Sequence, residues 1–145
     1  MSVMESEARK RGSMVTLQRL DGEYAILKLS PDTTPPDWAF QGDFSSITRT
    51  PSELSIVCDA RFAPLQAKAE IGWVVYQLVG QFGFDQFGIL ESLIRPLADA
   101  GISILSISTF DTDYILVKHT HEEQARAALS AAGHQFSETP EVPVG

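Results

Sequence analysis

The sequence predicts an α+β fold in which residues 71–136 form strands and helices in the order β-α-β-β-α-β. Apolar residues recur at a spacing of three to four between Ile89 and Leu97, which is the pattern of an amphipathic helix. The segments on either side of this helix are rich in β-branched and aromatic residues, which favour strands. This order of elements is that of a ferredoxin-like unit, an antiparallel sheet covered on one face by two helices.

The first half of the chain is predicted to consist almost entirely of strands. Two apolar runs at residues 15–20 and 24–29 flank Asp21-Gly22-Glu23, and an Asp-Gly pair between such runs is typical of a β-hairpin. Several prolines exclude a long helix from this half. The further elements expected here are one helical turn at 38–40 and strands at 44–49 and 54–59.

The second half is predicted to begin with a linker at residues 61–70 and a strand at 71–79. A helix is expected from about Gly88 to Asp99, and Pro96 is expected to kink or crowd its last turn because proline has no backbone N–H. The remaining predicted elements are strands at 102–107, 114–117 and 134–136 and a second helix at 122–132.

The domain organisation is expected to follow these two halves. We predict an N-terminal strand-rich module at residues 14–63 and a C-terminal module at residues 64–137. The tail at residues 1–13 is expected to be disordered and the tail at residues 138–145 to be loose.

Composition limits the classes of partner. The 145 residues are 43% hydrophobic and 21% charged, as in ordinary globular proteins, and the net charge is −8. An acidic chain with only one dense basic run, Arg9-Lys10-Arg11, is not expected to bind nucleic acid. No apolar run approaches the roughly 20 residues that span a bilayer, and the first residues lack the apolar centre of a secretory signal. We therefore expect a cytoplasmic protein that does not associate with membranes.

The segment at residues 108–114, Ser-Thr-Phe-Asp-Thr-Asp-Tyr, is the first candidate for function. Isoleucines among serines just before it predict a strand with one buried face, which would hold the following turn rigidly. The turn presents two carboxylates, Asp111 and Asp113, for binding. An equally good interpretation is structural, because Asp in a turn often bonds its own backbone.

Other chemically active side chains favour structural roles. Cys58 lies in an apolar strand and is predicted to be a core residue. His119 and His121 could share one face, but the sequence places no third metal ligand nearby, so no metal site is expected. No catalytic signature occurs, and neither a cofactor nor enzymatic activity is expected.

Three segments carry a family resemblance: the glycine- and aromatic-rich run at 80–90, Pro96-Leu97-Ala98 and the run at 100–104. In these segments the chain resembles ACT domains. The run at 107–117 and Ser52-Glu53-Leu54-Ser55-Ile56-Val57 are similar to the branch formed by the cellular arginine sensors called CASTOR and their bacterial relatives. The resemblance covers roughly residues 15–136. It implies two ACT-like modules side by side and amino-acid binding at an interface between modules, which regulates another protein without catalysis. A two-module chain is then expected to form a homodimer.

The sensor branch holds its ligand between the glycine-rich loop and the turn that joins the second and third strands. The resemblance therefore implies the following ligand-binding residues: Gly83, Gln86, Phe87, Gly88 and Ile89 on one side, and Thr109, Phe110, Asp111 and Asp113 on the other. Gln86 stands where the arginine sensors have a carboxylate, so neutral amino acids are expected as ligands as much as arginine is. The alternatives remain that the glycines only form turns, that the loop phenylalanines pack in a core, and that the protein is an interaction or dimerisation module without a metabolite.

Overall fold

The structure is a computed structural model that describes residues 14–64, 68–79 and 88–137, and all structural statements concern these residues. The strands, in chain order, are β1 (Thr16–Arg19), β2 (Tyr24–Leu29), β3 (Ser46–Arg49), β4 (Leu54–Asp59), β5 (Lys68–Leu78), β6 (Ile104–Ser108), β7 (Asp113–Lys118) and β8 (Gln135–Ser137). The α-helices are α1 (Ile89–Asp99) and α2 (Glu122–Ala131), and short 3-10 turns occur at Asp37–Phe40, Ala60–Phe62 and His119–His121.

The chain divides into two compact units. One unit consists of Leu20–Val75, and the other combines the residues up to Arg19 with those from Tyr76 onward. Strand β5 begins in the first of these units and ends in the second. β1 is therefore grouped with the C-terminal residues, although the sequence analysis assigned it to the N-terminal module. The division into modules at residues 63 and 64 stays a prediction.

The C-terminal unit has the predicted β-α-β-β-α-β order, in the elements β5, α1, β6, β7, α2 and β8. β7 pairs with both β6 and β5. β1 lies antiparallel to the end of β5, with Leu17 opposite Leu78, and parallel to β8, with Thr16 opposite Gln135. The α+β ferredoxin-like architecture is confirmed, with β1 inserted between the first and last strands of the unit.

Helix α1 packs on the unit through one apolar stripe. Ile89, Leu93 and Leu97 are buried, and their spacing of four residues places them on one face of the helix. The helix does not stop at Pro96 but continues to Asp99. Gly101 follows the C-cap residue Ala100 and stops the helix, because its φ of +75° lies in the left-handed region that glycine adopts readily.

The unit at residues 20–75 is built from β2, β3, β4 and the first part of β5. β2 and β4 are antiparallel along their whole length, from Tyr24 opposite Asp59 to Leu29 opposite Leu54. β3 pairs with the other edge of β4, whose observed bounds are those predicted. Cys58 is fully buried, which confirms it as a core residue, and burial raises the pKa of its thiol to about 11.

Two predictions about the strands were wrong. β1 and β2 do not form a hairpin, because β1 pairs with β5 and β8 whereas β2 pairs with β4 and β5. An Asp-Gly turn lets the chain reverse, but it does not determine which strand becomes the partner. Residues 68–70, predicted as linker, belong to β5, where Ala69 pairs with Leu27 of β2. Their side chains are exposed, so no apolar pattern marked them as strand.

Candidate functional site

The turn between β6 and β7 is closed by its two threonines. The ladder of the two strands ends at the pair Ser108 and Asp113. The Thr109 amide donates to the Thr112 carbonyl at 2.8 Å, and the Thr109 hydroxyl donates to the same oxygen at 3.1 Å. The Thr112 amide donates to the Thr109 hydroxyl oxygen at 3.3 Å. These bonds leave the intervening residues at the tip of a fixed turn.

The side chains at the tip are exposed. Phe110 is 81% exposed, and Asp111 is exposed beside it. The Asp113 carboxylate accepts a hydrogen bond from the Ser108 hydroxyl, so this carboxylate is oriented by a neighbouring side chain. Burial raises the pKa of the Tyr114 hydroxyl, and the Asp111 carboxylate raises it further. The turn thus presents an aromatic ring and two carboxylates together.

The rigid support of the turn comes mainly from β7 rather than from β6. We expected β6 to bury its isoleucines, but Ile104 and Ile107 are only half-buried. Ile115, Leu116 and Val117 of β7 are buried in succession. β7 also has a strand on each side, whereas the described partner of β6 is β7. The turn is rigid because one of its two strands is central in the sheet.

Thr112 anchors the turn to β5, and the sequence analysis missed this residue. Its side chain is 8% exposed, and its hydroxyl donates to the carbonyl of Leu78 at 2.9 Å. Leu78 is the last residue of β5, immediately before the chain enters the predicted glycine-rich loop. A threonine between two aspartates reads as an ordinary polar turn residue, and nothing local in the sequence identifies a partner 34 residues away.

Helix α1 opens at Gly88 without a side-chain cap. Gly88 has a φ of +83°, and its carbonyl accepts from the Ser92 amide at 2.9 Å. Among the described residues, no heavy atom lies within 4 Å of the position that a Cβ on Gly88 would take. The side chain of Ile89 is buried, so this residue can offer its backbone N–H but not its side chain to a ligand. The amides of an uncapped first turn attract a carboxylate.

The predicted site residues fall into three groups. Thr109, Phe110, Asp111 and Asp113 share the β6–β7 turn, and Gly88 and Ile89 open α1. Gly83, Gln86 and Phe87 lie outside the described residues. The bond from Thr112 to Leu78 ties the turn to the strand that precedes this segment. That the helix opening faces the turn stays a prediction.

A second polar cluster holds the start of α2 against the sheet. One carboxylate oxygen of Glu122 accepts from the Arg19 guanidinium at 2.6 Å and from the Tyr76 hydroxyl. Arg126 lies 4.2 Å from the centre of the Phe136 ring and donates to the Tyr76 oxygen at 3.2 Å. Burial raises the pKa of Tyr76 to about 12, and the hydrogen bond to the Glu122 carboxylate contributes to this increase. Burial opposes ionisation of Glu122, but its hydrogen bonds and the adjacent cations lower its pKa.

His119 and His121 are exposed residues of one 3-10 turn. Within residues 14–64, 68–79 and 88–137, no three His, Cys, Asp or Glu side chains gather as a metal site would require. No helix in the described part of the chain is long and apolar enough to cross a membrane.

The fold and the turn define a small α+β domain of the ferredoxin-like class. The family model of the ACT domain matches residues 68–131, and a second model, described as an N-terminal domain, matches residues 22–66. The chain therefore contains an ACT domain at residues 68–131, which confirms the resemblance inferred from the sequence.

Individual relatives agree with this assignment. The human protein CASTOR3P is 36% identical over 87 residues, which are 51% of this chain and 53% of that protein, so the chain spans about half the length of this curated relative. The crystal structure of protein Atu0741 from Agobacterium tumefaciens has 39% identity and a TM-score of 0.83, covering 90% of this chain and 98% of that one. The regulatory subunit of aspartate kinase from Thermus thermophilus has 16% identity and a TM-score of 0.56, covering 79% and 94%. At this identity the last comparison bears on the fold alone.

Proposed function

We propose that this protein is a regulatory module that binds a free amino acid between the β6–β7 turn and the opening of α1. The observation that carries the proposal is the fixed turn, which displays the oriented Asp113 carboxylate beside an exposed Phe110. The ACT domain and similarity to CASTOR3P support the same kind of ligand. We propose a binding module rather than an enzyme, because the ACT-domain model matches residues 68–131 and the resemblance to ACT domains implies binding without catalysis.

An amino acid matches the two parts of this site in charge. Its carboxylate would accept from the amides of the first turn of α1, which contributes roughly 0.3–1 kcal/mol through the helix dipole. Its ammonium group, or a cationic side chain, would donate to Asp113 in a charge-assisted hydrogen bond of roughly 1.5–3 kcal/mol. The positive φ of Gly88 is accessible to glycine, and no heavy atom of the described residues lies within 4 Å of its Cβ position, which favours close approach of a ligand to the backbone.

We further propose that the ligand need not be arginine. Gln86 is neutral where the arginine sensors have a carboxylate, so a cationic side chain would have one acceptor charge fewer. A homodimer, in which a second ACT module covers the site, is part of the proposal.

A thermal-shift screen of the twenty amino acids tests the proposal. A ligand at 100 times its dissociation constant stabilises the folded state by about 2.7 kcal/mol, which is easily seen as a higher melting temperature. Asp113→Asn should abolish the shift. Asp99→Asn, the same change at an exposed residue at the end of α1, should retain it. A shift that persists in Asp113→Asn would place the ligand elsewhere.

A second candidate function is protein interaction without a metabolite, and the edge strand β6 favours it. Among the described residues β6 pairs only with β7, and its sequence Ile-Leu-Ser-Ile-Ser has neither a charge nor a proline to discourage pairing with another chain. Leu105 is 37% exposed on this strand. If no amino acid changes the melting temperature, and a dimer is lost in Ser106→Lys but not in the exposed helix variant Ser130→Lys, this second function is the correct one.

A further inference from the structure

Pro96 cannot donate one of the backbone hydrogen bonds that an α-helix normally contains. In an α-helix the carbonyl of residue 92 accepts from the N–H of residue 96, and proline has no N–H. The helix nevertheless continues through Pro96 to Asp99, and the Ala100 amide donates to the Pro96 carbonyl at 3.1 Å. Another donor for the Ser92 carbonyl would therefore stabilise the helix at this position.

His134 supplies such a donor. This residue is 5% exposed, and its Nε2 lies 2.8 Å from the Ser92 carbonyl oxygen. Its Nδ1 lies 3.2 Å from the amide nitrogen of Val15. A carbonyl only accepts and an amide N–H only donates, so the bonds assign the neutral ring with its proton on Nε2. One side chain thus satisfies two backbone groups, one in α1 and one immediately before β1.

Ser92 carries this contact into the first turn of α1. Its amide donates to the Gly88 carbonyl at 2.9 Å, and its hydroxyl donates to the Ile89 carbonyl at 2.6 Å. Gly88 and Ile89 are the two described residues that we assign to the helix side of the amino-acid site. The imidazole ring of His134 holds the Ser92 carbonyl, and Ser92 is bonded to both Gly88 and Ile89. The ring therefore helps to fix the position of these two residues.

We propose that His134 is a positioning residue of the amino-acid site, which holds the opening of α1 by replacing the N–H that Pro96 lacks. This inference rests on the proposed function, because it concerns the placement of the amides that would receive the ligand carboxylate. His134 acts through Ser92 and is not itself a ligand residue. Its second bond, to Val15, fastens the same helix to the strand inserted between β5 and β8.

The proposal is tested by restoring the missing N–H. His134→Leu removes both ring bonds and should weaken amino-acid binding by about fivefold or more, the lower end of usual coupling between sites. Pro96→Ala gives α1 a backbone donor for the Ser92 carbonyl, so the double variant Pro96→Ala/His134→Leu should recover most of the affinity. The bond to Val15 is not restored, and the melting temperature of the double variant should stay below that of Pro96→Ala alone. A purely structural role would make affinity and melting temperature recover together.

The matched control is Pro51→Ala/His134→Leu. Pro51 is an exposed residue outside any helix or strand, so an amide N–H there cannot serve Ser92 and affinity should not recover. Unchanged affinity in His134→Leu, or recovery with Pro51→Ala as large as with Pro96→Ala, would overturn the proposal. If His134→Leu does not fold, His134→Met, which also lacks a ring donor, takes its place with the same expected loss and recovery.

A failure of the proposed function is distinguishable from a failure of this inference. If the unaltered protein binds none of the twenty amino acids, the proposed site is wrong. Hydrogen exchange at the Ser92 amide, which donates to Gly88, then tests whether His134 stabilises the first turn of α1. Faster exchange in His134→Leu, and a return to slow exchange in Pro96→Ala/His134→Leu, would support the positioning role of His134. Equal exchange in all variants refutes it.

Discussion

Removing the hydroxyl of Thr112 tests whether the β6–β7 turn depends on its bond to β5. Thr112→Val keeps the shape of the side chain but replaces the hydroxyl by a methyl group. The acceptor, the carbonyl of Leu78, belongs to a fully buried residue, and Thr112 itself is 8% exposed. The carbonyl would therefore lose its donor in a place that water reaches poorly.

The expected loss follows from the hydrogen bond and its environment. A buried acceptor left without its partner costs about 1–3 kcal/mol, and this range already includes the net value of the lost bond. We expect the free energy of unfolding of Thr112→Val to fall by about 1–3 kcal/mol. In a chain near this size each kcal/mol lowers the melting temperature by about 2–4 °C. Urea unfolding followed by circular dichroism measures the difference, with an unchanged m-value as the check that the unfolded state is unaffected.

Thr112→Ser is the matched control, because it keeps the hydroxyl and removes only a methyl group. It should cost about 0.8 kcal/mol, the value of one buried methylene. The reasoning requires Thr112→Val to be less stable than Thr112→Ser. The reverse order would show that the methyl group, through packing, holds the turn and that the bond to Leu78 contributes little.

Three further predictions concern the glycine before α1 and the carboxylates of Glu122 and Asp59. Gly88→Ala should lower the free energy of unfolding in urea by about 1–2 kcal/mol, because the φ of Gly88 is positive, and it should also weaken ligand binding. The control Gly22→Ala, at a residue with a φ of +81°, should lower the free energy of unfolding by a similar amount without affecting binding. The pKa of Glu122 is lowered below its ordinary 4.5, so its contribution to stability is complete above pH 4.5 and is lost as the pH falls through the pKa of the folded state. In Glu122→Gln the free energy of unfolding should therefore decrease less on acidification, as measured by an acid titration followed by circular dichroism. Hydrogen bonds from Arg61 lower the pKa of Asp59 below 3.8, so Asp59→Asn should destabilise the protein most above pH 3.8 and progressively less in more acidic solution; an equal loss at every pH would contradict this.

The sequence was sufficient to predict the elements with strong local patterns. The apolar stripe of α1 predicted its bounds to within one residue, and the strand predicted at 54–59 is observed as Leu54–Asp59. Strand partners were less predictable, because the Asp21-Gly22 turn suggested a hairpin whereas β1 pairs with β5 and β8. Local turn chemistry limits the direction of the chain, but pairing depends on long-range competition between strands.

The candidate site shows the same difference: the residues that would face a ligand could be predicted from local sequence, whereas the residues that support them could not. Residues that would face a ligand are neighbours in the sequence, so a short motif such as the run from Thr109 to Asp113 identifies them together. Their supports are distant: Thr112 bonds Leu78 across 34 residues, and His134 bonds Ser92 across 42 and Val15 across 119. No motif contains both partners of such a bond. Substitutions at Thr112 and His134 should therefore alter binding through the placement of the turn and the helix opening, without removing any group that contacts the ligand.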